Sequence, residues 1–359
     1  MSATGEVTLP APAGDPRGYL QLGRTFLHPA LDYLLIGGGL SLLTVVAIVG
    51  SGAMDEGHLT SVLLPYCVLA FNSSHFAAST VRLYTRPGAF REWPFLTQVF
   101  PLVSLVVLTL GVVYAADVGR QIFALYLTWS PYHYAAQAFG LSAMYCYRSG
   151  CPLDPGERRL LWWSCMLPFL YAFTIGGSSG IGWFVPPRVF AEVPALQALR
   201  SGLSTSLSIA AFVAPLVLVL RLGRRGKSFP AISLLLMVTN GVWWIVFTYV
   251  DAFLWATVFH GVQYLAIVTI FHVRDQTDRP DNRRGPVYHS LWFYGACLAL
   301  GYLVFNAWPY VYVLAGFPWS ESVLIVAAII NLHHFVVDRY IWRLRRGPNY
   351  RIVVGAPAA

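Results

Sequence analysis

The residues best suited to chemistry in this chain are histidines set in apolar surroundings. The densest group is Asn331-Leu-His-His-Phe-Val-Val-Asp-Arg-Tyr-Ile-Trp-Arg343, inside the last long apolar run. At 3.6 residues per turn, Asn331, His334 and Asp338 line one helix face, and His333 lies about 100° around from His334. Ionisable groups within an apolar helix are expensive, so they mark a functional site with partners elsewhere in the bundle.

The chain has nine histidines. His58 stands beside Asp55 and Glu56 in a loop, His289 at a helix start and His272 within a turn of a charged loop, so these three read as solvated or structural. The other six fall in five apolar runs. His28 opens the first, four residues before Asp32. His75 has Asn72 and Ser79 on its face. His133 is followed one turn on by Gln137, His260 by Gln263 and Tyr264, and His333 and His334 complete the set.

At 1.5 Å per residue, His75 lies about 10 Å from Arg82 and His333 about 9 Å from Arg339, while His260 and His133 lie about 21–22 Å from Arg274 and Arg148. All six can then face the inner half of one bundle. Neutral imidazole is a common metal ligand, and three or four of them with nearby carboxylates suit Fe(II), Zn(II) or Cu. Asp32, Asp338, Gln137 and Gln263 are placed to orient the ring nitrogens that do not bind metal. Tyr134 and Tyr264 are the candidate catalytic hydroxyls. Two other readings use the same residues. Histidines paired on facing helices could hold haem b for electron transfer. Asp251, His133, Gln137 and Asp338 could instead form the relay of a proton-coupled transporter.

The elements that must position these groups are membrane helices. The 359 residues are 57% hydrophobic and only 11% charged, which excludes an ordinary soluble domain and predicts an all-α polytopic bundle. Apolar runs at 30–50, 60–82, 95–116, 121–147, 160–178, 203–222, 230–249, 252–273, 288–308 and 321–343 predict about ten spans, with Asp251 as the turn between the seventh and eighth. Of the 24 Lys and Arg, all but Arg120, Arg188 and Arg200 fall in the N-terminal segment, alternate loops and the C-terminal segment. That bias predicts cytoplasmic termini in a bacterial-type inner membrane, and it explains the net charge of +8 without a nucleic-acid partner.

Residues 1–18 read as a disordered tail, 19–346 as one transmembrane domain and 347–359 as a second tail. The five cysteines show no metal-finger spacing and read as packing residues. Gly37-Gly38-Gly39 predicts a close approach by another helix. The oligomeric state is left open.

His28-Pro-Ala-Leu-Asp32, Ser74-His75-Phe76, Phe259-His260-Gly261 and His333-His334-Phe-Val-Val-Asp338-Arg-Tyr-Ile-Trp-Arg343 resemble, in order, four histidine motifs of the bacteriorhodopsin-related β-carotene 15,15′-dioxygenases. The resemblance implies an integral membrane enzyme that uses histidine-bound iron and O2. His28, His75, His260 and His333 (or His334) would be the ligands. The expectation is a membrane-embedded non-haem iron oxygenase acting on a lipid-soluble substrate such as a carotenoid, isoprenoid or acyl chain, reached laterally from the bilayer.

Overall fold

The computed structural model describes residues 18–51, 66–249 and 251–342, together with Asn349, Ile352 and Val353. Long helices overlie the apolar runs: α1 Gly39–Ser51, α2 Ser74–Thr85, α3 Phe100–Val113, α4 Ala115–Arg148, α5 Pro155–Ile175, α6 Pro194–Gly223, α7 Ala231–Gly241, α8 Ala252–Thr277, α9 Pro286–Tyr302 and α10 Trp319–Ile341. The chain is an all-α membrane bundle. Among the described residues six helical stretches are long and apolar enough to cross a bilayer: Phe95–Val113, Pro194–Gly223, Ala231–Tyr249, Ala252–Thr277, Pro286–Leu314 and Trp319–Ile341. A seventh arises if the bent pair Pro29–Ile36 and Gly39–Ile48 counts as one span.

The other helices fall short for physical reasons. At 34 residues α4 is about 51 Å long, more than a hydrocarbon core needs, and it carries Asp117, Arg120, His133 and Gln137. Helix α5 opens with Glu157, Arg158 and Arg159. A polar helix tolerates membrane depth only where protein covers it, and α4 is packed by α5, α7 and α10. Helix α8 packs on α2 and α9 and is the most enclosed of the apolar spans.

Glycine and aspartate set two bends. Gly38 adopts φ +82°, and a side chain there would come within 2.6 Å of the Thr239 hydroxyl. The triple glycine thus lets α7 approach as expected, and it also breaks the first span by 63°. Asp251 caps α8 by accepting the Leu254 amide at 3.2 Å, the turn its isolated charge predicted.

One end of the bundle gathers segments from distant parts of the chain. Leu20–Gln21 pairs in parallel with Phe229–Pro230. Gln21 donates to the Ser228 carbonyl, Arg148 to those of Thr25, Ile352 and Val353, and Arg274 to those of Phe26 and Ile352. Residues 1–17 of the predicted N-terminal tail lie outside the described residues. In the segment read as a C-terminal tail, Asn349, Ile352 and Val353 are buried, because the basic residues at this end need their carbonyl and amide oxygens.

Candidate metal centre

Four histidines from four helices meet in the interior: His75 on α2, His133 on α4, His260 on α8 and His334 on α10. Ring centroids lie 4.7 Å apart for His75 and His260, 4.5 Å for His75 and His334, and 5.1 Å for both His133–His260 and His133–His334. The rings stand nearly perpendicular to one another around a common centre. Donor atoms of His75, His133 and His260 all lie within 4.8 Å of one another, as do those of His133, His334 and Asp338. Ligands about 2.1 Å from a shared ion are at most about 4.2 Å apart, so small ring rotations bring this set to bonding distance.

Several unpaired nitrogens meeting in one place distinguish this group from a single core histidine such as His272, whose Nε2 is also unpaired. Both ring nitrogens of His75 and of His260, and Nε2 of His133 and of His334, are buried without a partner. The Asn72 carbonyl approaches His75 without closing a bond of good geometry. An unpaired buried polar atom costs about 1–3 kcal/mol. Six together would rival the whole stability of a domain; each ring has one lone pair to give, so one ion shared by the four rings would satisfy four of the six.

The surrounding residues fix ring orientation. Ser79 Oγ donates to the Phe76 carbonyl at 3.2 Å and lies 2.9 Å from His334 Nδ1, so its lone pair faces that nitrogen. With Ser79 donating to Phe76, His334 would carry its hydrogen on Nδ1 and present a lone pair from Nε2, the form a metal requires. Asp338 accepts the Tyr264 hydroxyl on Oδ1 at 2.6 Å, which leaves Oδ2 at 3.4 Å from His334 Nε2 and 3.8 Å from His133 Nε2. Tyr134 stacks on His260 at 3.9 Å between centroids and Phe335 on His133 at 4.5 Å.

Backbone irregularities let the helices come this close. A π-helical turn, Val68–Ser73, leads into α2 just before His75. A side chain at Gly261 would meet the Phe71 carbonyl at 2.6 Å, and one at Gly301 would meet the Ser73 carbonyl at 2.7 Å. Two helices therefore press on the segment that delivers His75, one through the residue that follows His260. Pro131, two residues before His133, cannot donate its backbone hydrogen bond within α4.

Several expected members stand elsewhere. His28 is exposed at the start of the first helical turn, where Nδ1 accepts the Ala30 amide at 3.2 Å; followed by Pro29, it is an N-cap and does not join the cluster. His333 points away from the cluster and stacks on Phe100 at 4.8 Å, since adjacent helical residues cannot share a face. Asp32 is buried in a different place, accepting the amides of Phe26 and Leu27 and the Tyr145 hydroxyl at 2.6, 3.1 and 2.7 Å. Gln137 donates to Gln263 at 3.2 Å, and neither makes a hydrogen bond to the histidines. The two tyrosines are at the site with their hydroxyls engaged, Tyr134 with Thr257 at 3.0 Å and Tyr264 with Asp338. Sequence reasoning missed the stacking role of Phe335 and the glycine contacts. Gly261, directly after a candidate ligand, was the available signal.

Compared with known proteins, the chain matches no family model, and no curated protein or solved structure is significantly similar to it.

Proposed function

We propose that this chain is a membrane-embedded oxidoreductase in which His75, His133, His260 and His334 hold a non-haem Fe(II) ion, and that it oxidises a lipid-soluble substrate with O2. One observation carries the reading: four buried imidazoles from four helices surround one point with six ring nitrogens unpaired. The spacing of 4.5–5.1 Å between neighbouring rings favours a single ion over haem, because a macrocycle needs the gap that the rings themselves fill. Bound there, iron would supply the O2 activation that no amino-acid side chain provides.

The remaining residues act on the ligands and on access. Ser79 holds His334 in the tautomer that binds through Nε2. Tyr264 holds Asp338 so that one oxygen faces the cluster as a further donor or as a proton acceptor for a ring N–H. The faces of Tyr134, Phe335 and Phe76 exclude water around the histidines, as chemistry on an apolar molecule requires.

The proposal includes ten spans with both termini in the cytoplasm of a bacterial-type inner membrane. The grouping of Arg148, Arg274, the N-terminal strand and Ile352–Val353 at one end supports that topology, because these are the segments with the basic excess. Elemental analysis of the purified protein tests the metal reading. About one iron per chain is expected, and wild-type protein without stoichiometric metal would overturn it.

A further inference from the structure

On the outer side of the histidine cluster a cavity of about 240 Å³ lies between α2, α3, α9 and α10. Its walls are apolar except for Thr80, Ser104 and His333. Leu105 and Trp308 of its lining are themselves exposed on the outside of the bundle, so in the membrane proposed above its mouth opens towards hydrocarbon. Serine and threonine at membrane depth normally return their hydroxyls to a carbonyl of the preceding turn, as Thr85, Thr97 and Thr128 do here. Thr80 and Ser104 make no such bond, and neither nitrogen of His333 has a hydrogen-bond partner among the described residues. An apolar cavity between membrane helices offers them little water in exchange. Three idle hydrogen-bonding groups on three different helices thus line one small apolar space.

We infer that this cavity binds a long-chain lipid-soluble molecule bearing a hydroxyl or carbonyl oxygen, with Thr80, Ser104 and His333 holding that oxygen. Neutral imidazole and hydroxyl groups both donate and accept, which suits either function on the ligand. Phe76 forms the partition to the metal centre. Its ring lines the cavity, lies 5.5 Å from Phe305, and packs at 4.2 Å on His75 and 5.0 Å on His334. In the enzyme proposed above, this is the entry subsite that orients an oxygenated substrate before its chain passes Phe76. The binding claim itself needs no metal.

The test uses the full chain in lipid nanodiscs and two photoreactive probes, a C16 alcohol and a C16 alkane that carry a diazirine at the same carbon. Crosslinks are mapped by mass spectrometry. The alcohol is expected to label cavity peptides of α2, α3 and α9 about fivefold more than the alkane, the worth of one neutral hydrogen bond. The ratio should fall to about one in a Thr80→Val, Ser104→Ala, His333→Phe triple variant with unchanged iron content. Equal labelling by both probes in wild type would identify the cavity as ordinary lipid contact and overturn the inference, as would a preference that survives the triple variant. If the triple variant does not fold, near-isosteric Thr80→Val alone should lose at least about half the preference, and no loss would count against the site. Iron-free protein that keeps the preference would sink the oxygenase reading and leave this one standing.

Discussion

Two buried polar regions of this bundle look alike in composition and differ in hydrogen bonding. Asp32, with no exposed surface, accepts two backbone amides and a tyrosine hydroxyl, so its carboxylate is fully engaged by the protein. The histidine cluster, equally buried, leaves six ring nitrogens idle. A polar group that is buried and satisfied holds a fold together. Single unsatisfied atoms occur elsewhere, such as Trp243 Nε1 and His272 Nε2; six within one cluster mark a place where something else binds. The first region ties the N-terminal segment to α4, and the second has no such structural product.

Five substitutions, the last followed through a pH titration, would break or sharpen that contrast. The largest effect is expected from His260→Ala, which should reduce bound iron to below about a tenth of an ion per chain and lower the melting temperature with it, since the remaining rings lose their ion. Retention of iron in this variant would show that the rings do not share an ion. Asp32→Ala should affect stability alone. Leaving two amides and a phenol without an acceptor costs roughly 3–5 kcal/mol, to be read as a lower melting temperature in detergent with iron per folded chain unchanged.

Gly261→Ala tests whether close packing delivers His75 to the site. The added methyl meets the Phe71 carbonyl at 2.6 Å, so α2 and α8 must separate. Overpacking of this kind costs about 1–3 kcal/mol, and a matched loss of iron is expected; normal iron would mean that the ligand geometry is set elsewhere. Ser79→Ala should weaken iron binding by about tenfold through loss of the His334 tautomer, measured by chelator competition.

The smallest effect lies outside the membrane. Asp154 and Glu157 form a capping box at the start of α5, and Arg225 and Lys227 pair with them. The Glu157 amide and Arg225 hold the Asp154 carboxyl below its usual range. Burial pushes Glu157 up, but its bonds to Lys227, the Asp154 amide and Arg225 outweigh that and leave it lowered as well. Depressed carboxylates contribute stability that is complete above their unfolded pKa, about 4, and that is lost as pH falls through the folded values. The melting-temperature gap between wild type and Arg225→Ala should therefore narrow between pH 6 and about pH 3. A gap that widened on acidification would refute the pairing.

Much of this was legible in the residues themselves. Long apolar runs with few charges determined a helical membrane bundle, because a chain in hydrocarbon must satisfy its backbone internally. Helical periodicity put Asn331, His334 and Asp338 on one face, and the isolated charge of Asp251 marked a turn. The tertiary structure alone decided which imidazoles meet. His28 was indistinguishable from His75 by type and estimated depth, yet its ring is spent on an N-cap. His333 and His334 differ by one residue, and only the packing of α10 against α4 and α2 sends one inward and the other towards Phe100. Local sequence sets the angle between neighbours on one helix. How that helix is rotated against the others depends on contacts such as Gly261 against Phe71 and Gly301 against Ser73, which join residues too far apart in the chain for any short motif to encode.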